Sequence, residues 1–346
     1  MQSIAIIMAK PKLTLADIAK MTGVSTSTVS RALNDSPLIN DETKQRIQSI
    51  ARDHNYQIHL GARNFRLKKS FIVAVVIPIE TSDAATLTNP FILEFIGSVG
   101  CELRNNGYDL LLIQDRTISE RYLRSGLVDG FIQLGHGDYP NLNSVPEDVP
   151  LAVWGPPFPG QKYCTVGIDN WALSREAVEH LLRLGRRRIA LITTHDHVKA
   201  TTEAANRLQG YQEALRTAGL PLDPALVVST DWNPAAGVGA TQQLLRQAPD
   251  ADAIFVSSGD AMALVVMETL RELSRSIPED VAIVGFDNSS VGETGAVPLT
   301  TVSQEIRGLG AKLLVESLMQ LIDGKKAATQ VIEGKIIVRR SCGAAL

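Results

Sequence analysis

Residues Leu15 to Leu33 read LADIAKMTGVSTSTVSRAL: a short apolar-periodic helix, a glycine turn, and a second helix rich in hydroxyl side chains with one arginine. Leu15, Ile18 and Ala19 are spaced for one helical face, and Val24, Val29 and Leu33 can meet them across the bend. Gly23 falls where the turn needs a positive φ, which a residue without Cβ adopts at no steric cost. Ala19 is small where the two helices cross. Ser25 is a candidate N-cap for the second helix, and this leaves Thr26, Ser27, Ser30 and Arg31 to point away from the packed face. Such groups reach base edges and phosphates. The same spacing also serves a plain three-helix domain in which Ser and Thr only cap and solubilise.

Charge separates these readings. Residues 1–70 carry 11 Lys and Arg against 5 Asp and Glu, a net of +6, whereas the remaining 276 carry 23 against 32, a net of −9. A basic head on an acidic body suits a polyanionic partner at one end only. At 346 residues the chain exceeds one ordinary core, so two or three units are expected. Cys101, Cys164 and Cys342 are far apart and odd in number, which argues against a disulfide framework and against a zinc spacing and fits a reducing cytoplasm. The opening MQSIAIIMAKPK has too short an apolar run for a membrane span and no small-residue cleavage site. It reads as a disordered tail over 1–12, with Met8 as an alternative start.

Beyond the helix pair, NDSPLI at Asn34 to Ile39 is turn-rich, and Asn40 or Asp41 can cap a third helix through Thr43, Ile47, Ile50 and Ala51. Tyr56 to Ser70 reads as a basic linker containing a short helix, with Arg63, Arg66, Lys68 and Lys69 around Phe65 and Leu67. At Phe71 the composition changes to FIVAVVIP, the continuous β-branched run of a strand buried on both faces. Similar runs recur at Tyr108–Gln114, Gly130–Leu134, Leu151–Trp154, Arg188–Thr193, Ala253–Ser257 and Val281–Phe286. Helical segments lie between them at Pro90–Asn105, Trp171–Leu184, Ala204–Ala218, Ala235–Gln247 and Asp260–Leu273. That alternation predicts doubly wound α/β layers, and so many strands divide better into two sheets than one.

Ligands of open α/β sheets sit beyond the carboxyl ends of the strands, which singles out Trp154, Gly259, Asp260, Asp287 and Asn288. Arg207 and Trp232 join them by chemistry: an arginine fork and a carboxylate each grip vicinal hydroxyls, and an indole stacks on the C–H face of a pyranose. Taken singly, each has a plain reading as a helix cap or core residue. His195-Asp196-His197 has no paired ligand motif for a metal, the Gly135 and Gly237 runs lack a phosphate-loop lysine, and no Ser or Cys stands in a nucleophile elbow. The sequence therefore gives no reason to expect catalysis, a metal or a cofactor.

From Leu13 onward the chain resembles the LacI/GalR family of bacterial transcription regulators. The resemblance rests on TLADIAKMTGVSTSTVSRALN, ARNFR, VGIDN at Val166–Asn170, HLLRLGRRRIALI from His180, RLQGY at Arg207–Tyr211, VGFDN at Val284–Asn288, PLTTVSQ at Pro298–Gln304 and the late VRRS. It implies a small all-α helix-turn-helix headpiece over 13–59, a hinge over 60–70, and an effector-binding and dimerisation domain over 71–346. That domain is implied to be two parallel-sheet subdomains of periplasmic-binding-protein type, one of about 71–170 plus 303–332, the other of about 171–302 plus 333–346. The implied partners are double-stranded operator DNA, a sugar or glycoside effector and a second copy of the chain, in the cytoplasm and away from membranes. Thr14, Ser25, Thr26, Ser27, Thr28, Ser30, Arg31, Asn34 and Arg63 would face DNA, and Phe65, where Leu is usual, would wedge into the minor groove. Phe91, Trp154, Arg207, Trp232, Asp260, Asp287 and Gln304 would surround the effector.

The chain also departs from the family pattern. Ile58 and His59 replace a Pro and an Asn, Gly61 weakens the hinge helix by about 1 kcal/mol relative to Ala, and Gly259-Asp260 stands where Asn-Asp is usual. Two alternatives remain open at this stage. The effector could be a nucleobase, phosphosugar or polyol, or the body could belong to a cytoplasmic sugar-binding protein.

Overall fold

The computed structural model describes residues 13–33, 35–54, 56, 64, 67, 69–77, 87–114, 118, 120–135, 142–157, 160–195 and 202–345. Asn34, Arg63 and Phe65, expected to face DNA, lie outside them, as do Ile58, His59 and Gly61. The chain forms two compact units, Met1–Ser70 and Phe71–Leu346, divided where the apolar β-branched run begins. Among the described residues no helix is long and apolar enough to cross a membrane.

The first unit is three helices: α1 (Leu15–Thr22), α2 (Thr26–Leu33) and α3 (Asp41–Asp53). Thr14 opens α1 with a reciprocal capping box: the amide of Asp17 donates to the threonine hydroxyl at 3.3 Å, and the amide of Thr14 donates to the Asp17 carboxylate at 2.9 Å. Gly23 ends α1 at φ +70°, so the bend has the left-handed residue that the sequence required. Asn40, rather than Asp41, caps α3, accepting from the amide of Thr43 at 2.8 Å. Ile18, Val29, Ala32 and Ile47 are wholly buried where the helices meet, and the Arg46 guanidinium on α3 donates to the carbonyl of Thr22 at the end of α1.

The second unit contains two six-stranded sheets. In chain order its elements are β1 (Ile72–Ile77), α4 (Pro90–Asn105), β2 (Asp109–Gln114), α5 (Glu120–Leu123), β3 (Gly130–Leu134), β4 (Leu151–Trp154), β5 (Cys164–Ile168) and α6 (Asn170–Arg183). They continue with β6 (Ile189–Thr194), α7 (Glu203–Thr217), β7 (Val227–Thr230), α8 (Gly237–Gln247), β8 (Ala253–Val256), α9 (Asp260–Glu272), β9 (Ala282–Asp287) and β10 (Thr300–Ser303). The last are α10 (Ala311–Ile322), β11 (Gln330–Ile332) and β12 (Lys335–Ile337).

The sheets are ordered β11-β5-β4-β3-β1-β2 and β12-β10-β9-β8-β6-β7, and every pairing is parallel except that of β10 with β12. Alternate residues of each inner strand enter different cores, as the strand period requires. On β6, Ile189 and Leu191 pack with α6 and α7, while Ala190 and Ile192 pack with α8 and α9. Both faces are thus covered, which accounts for uninterrupted apolar runs in place of an alternating pattern.

The chain passes between the sheets three times: from β5 into α6, from β10 through residues 304–310 into α10, and from β11 into β12. The second passage is jointed. Glu305 takes φ +54°, and Gly308 breaks the helical geometry at φ −144°, ψ −105°.

Candidate functional site

On the headpiece, the exposed side chains of Ser25, Thr26, Ser27 and Arg31 share the start and outer side of α2. Ser25 is the cap: its hydroxyl accepts from the amide of Thr28 at 3.2 Å and joins the hydroxyls of Ser27 at 2.7 Å and Thr28 at 2.9 Å. Helix formation therefore fixes three hydroxyls on one surface, with the Arg31 guanidinium one turn on. Ser30 corrects the sequence reading. It is 7% exposed and lies on the packed side with Val29, because it comes one position after the apolar anchor instead of opposite it. Thr14 is exposed, but its hydroxyl is committed to Asp17, to which it donates at 2.6 Å.

In the body, the carboxyl ends of β8 and β9 bring Arg207, Asp287 and Gln304 together. Arg207 is on the first turns of α7, which Thr202 caps by accepting from the amide of Ala205 at 3.2 Å. It is buried but every visible commitment is specific: Nε donates to Asn170 Oδ1 at 2.8 Å, Nη1 donates to the Ser257 carbonyl at 2.6 Å, and the guanidinium lies 3.6 Å from the centre of the Phe286 ring. The fork is held flat and cannot swing. Burial disfavours its charge, and the carboxylates of Asp287 and Glu203 oppose that effect. Asp287 faces it as the complementary group, with Gln304 Nε2 donating to its Oδ1 at 2.6 Å. Burial lifts the Asp287 carboxyl to about 6 even though Arg207, Gln304 and the backbone amide of Asp260 all favour its ionised form.

The substitution of Gly259 for the expected Asn now has a physical reason. Gly259 takes φ +114°, and a Cβ there would stand 2.8 Å from Asp287 Oδ2. With no side chain at 259 to cap α9, the carboxylate of Asp287 occupies that space and receives the amide of Asp260 instead. Asp260 itself is fully buried and internally satisfied: Thr301 donates to Oδ1 at 2.6 Å and the amide of Ser289 to Oδ2 at 2.8 Å. Burial and the neighbouring Asp287 push its carboxyl well up. Its observed work is to hold the loop after β9, where Asp287 and Asn288 take φ of +122° and +55°.

The other expected contacts are placed differently from one another. Phe91 is half-buried at the start of α4, its amide donating to the capping Asn89 at 2.9 Å. Trp232 is 46% exposed in the loop after β7. Trp154 is only 4% exposed, packed against Phe95 and against Gly310, where an added Cβ would meet its ring at 2.7 Å. It packs beside the passage between the sheets. Three groups that position Arg207 carried no separate signal: Asn170, Ser257 and Phe286. Asn170 and Phe286 do stand inside the VGIDN and VGFDN motifs, which is where such a signal lay.

Comparison with known proteins bears on both units. Residues 14–58 match the model described as bacterial regulatory proteins, lacI family, and residues 178–342 match the periplasmic binding protein-like domain. The chain is 34% identical over 340 residues to the HTH-type transcriptional regulator CelR of Thermobifida fusca, covering 95% of this chain and 98% of that one. It is 30% identical to the HTH-type transcriptional repressor CytR of Escherichia coli K12, covering 95% and 96%. Among solved structures, a complex of CelR with cellobiose superposes with a TM-score of 0.69 at 31% identity, covering 95% of this chain and all of that one. The lac repressor dimer bound to operator superposes at 0.81 with 22% identity, covering 96% and 100%, a likeness of fold. With its helix-turn-helix headpiece and two-sheet sensor, this chain belongs to the lacI family of bacterial transcriptional regulators.

Proposed function

We propose that the chain is an operator-binding repressor of carbohydrate-utilisation genes, controlled by a sugar or glycoside held between the two sheets of the body. The observation that carries the reading is the opposed pair Arg207 and Asp287, with Gln304 fixing the carboxylate. A planar donor fork facing an acceptor suits vicinal hydroxyls, and Phe91 and Trp232 are assigned the apolar and stacking contacts by their chemistry. Because CelR has been solved with cellobiose, a β-linked disaccharide is the first ligand to test. On the DNA side, Thr26, Ser27 and Arg31 read bases in the major groove, Ser25 and Thr28 orient the helix start, and Asn34, Arg63 and Phe65 extend the contact. The protein acts in the cytoplasm as a homodimer.

Effector control is a linkage: the ligand alters operator affinity only by the difference in its affinity for the two sensor states. Operator is defined by selecting duplexes from a random library with wild-type protein, and ligands are screened by thermal shift with cellobiose, other glycosides and purine nucleosides. Arg207→Ala is expected to keep operator binding and lose the response. Arg31→Ala is expected to lose about 1–3 kcal/mol of operator discrimination while binding effector as wild type does. Stabilisation by purine nucleosides alone would overturn the sugar reading, and unchanged operator preference in Arg31→Ala would overturn the role of that residue.

A further inference from the structure

Glu94 lies on α4 one turn beyond Phe91, on the part of the body built around the first sheet. Its Oε1 accepts from both the amide and the hydroxyl of Ser290, each at 2.7 Å, and its Oε2 is 3.6 Å from Arg307 Nε. Ser290 belongs to the other part, three residues after Asp287 at the end of β9. Arg307 is in the jointed passage from β10 to α10, and its Nη2 donates to the Asn288 carbonyl at 2.7 Å and pairs with Glu293 at 2.7 Å. Arg339 braces the same loop, donating to Asn288 Oδ1 at 2.8 Å. One carboxylate thus collects two hydrogen bonds from across the gap between the sheets and an ion pair from the passage that joins them.

Several features set this cluster apart from an ordinary surface ion pair. The Glu94 side chain is only 17% exposed, so its pairing is screened less than an open one. Its hydrogen bonds are charge-assisted, and among the described residues Glu94 is the acceptor of the Ser290 amide. The loop it grips is the one that carries Asp287, and the helix it stands on begins at Phe91. The passage beside it is bent at Glu305 and Gly308, as a joint between moving parts is. Glu94 is not a hydrogen-bond partner of Arg207 or Asp287, although its charge helps to raise the Asp287 carboxyl.

We propose that Glu94 is a latch: it fastens the two halves of the sensor when they close, and its making and breaking sets how readily they part. That the latch closes together with the effector site rests on the function proposed above. When the halves separate, Ser290 N–H and the Glu94 carboxylate exchange each other for water. A bias of this kind shifts the populations of open and closed sensor without touching the ligand.

The test uses the full-length protein with Glu94→Gln and, as a milder change, Ser290→Ala. Amide hydrogen exchange is followed at residues 288–294, with the amides of β8 and β9 as a control of intact folding, and small-angle scattering gives the radius of gyration. In wild type the Ser290 amide is protected. In Glu94→Gln it exchanges at least tenfold faster (roughly) while β8 and β9 keep their protection, and the radius of gyration rises. Equal Ser290 exchange in wild type and variant, or an unchanged scattering profile, overturns the latch. Titration with cellobiose then reads the coupling, expected to be roughly tenfold weaker in Glu94→Gln. Absence of any cellobiose binding by wild type counts against the effector reading alone, and the exchange and scattering results still decide the latch.

Discussion

Asp287 concentrates several demands on one side chain. Its carboxylate faces Arg207, receives Gln304, caps α9 where Gly259 has no side chain to do so, and sits on backbone at φ +122°. The sign of its pH effect follows from burial. A carboxyl lifted to about 6 in the folded protein binds its proton more readily than in the unfolded chain, so the folded state gains stability as pH falls from 7 through 6 toward the ordinary carboxylate range. Asp260, also pushed up by burial, contributes with the same sign. The thermal midpoint of wild type is therefore expected to lose ground against that of Asp287→Asn as pH rises from 5 to 7. A difference between the two proteins that stays constant over the window would refute this. Effector affinity is expected to run the other way, weakening below pH 6 as the acceptor is neutralised. The identities of Arg207, Asp287 and Gln304 were legible from strand ends and motifs. The use made of Gly259 was not, because a cap supplied from another strand leaves no local pattern.

Among the elements, the helix-turn-helix was the most legible, since spacing, capping and turn chemistry agreed at every position but Ser30. Gly23 is the point at which that agreement is exposed to test. Gly23→Ala meets no neighbour, as nothing stands within 4 Å of the added Cβ, so its cost is that of the positive φ alone, about 1 kcal/mol or more. The headpiece is expected to loosen and operator binding to weaken, while the melting of the body stays as in wild type. Loss of body stability in that variant would show that the effect does not belong to the turn. Several elements were left unassigned by sequence, each for a physical reason of its own. β10 is Thr300–Ser303, whose hydroxyls make it look polar; yet it is buried, with Thr300 donating to the Arg339 carbonyl at 3.0 Å and Thr301 to Asp260. β11 and β12 are three residues each, too short for periodicity to register. In α10 the adjacent Leu313, Leu314 and Val315 read equally well as a short strand, and only packing against α4 and β4 makes the helix evident.

At the scale of the molecule, composition and periodicity conveyed the basic head, the acidic body and two doubly wound layers, and the family resemblance implied where the chain crosses between the layers, but not which strands close their edges. That closure comes from the short piece 330–337. It supplies β11 to the edge of the first sheet beside β5, turns through Glu333 and Gly334, and supplies β12 to the edge of the second beside β10. Gly334 fits there because a Cβ would press to 2.5 Å on Leu173 and 2.8 Å on the Ser303 carbonyl. The order of synthesis gives this arrangement a cost. Until residues 330–337 have left the ribosome, strands β5 and β10 present unpaired backbone groups to any neighbouring nascent chain. A chain stopped after Lys326 is expected to collect in the pellet, and to be rescued when a peptide of residues 327–346 is co-expressed. Solubility thus hangs on a clasp of a few residues remote in sequence from the helix-turn-helix, whose two strands cover edges that would otherwise pair with other chains.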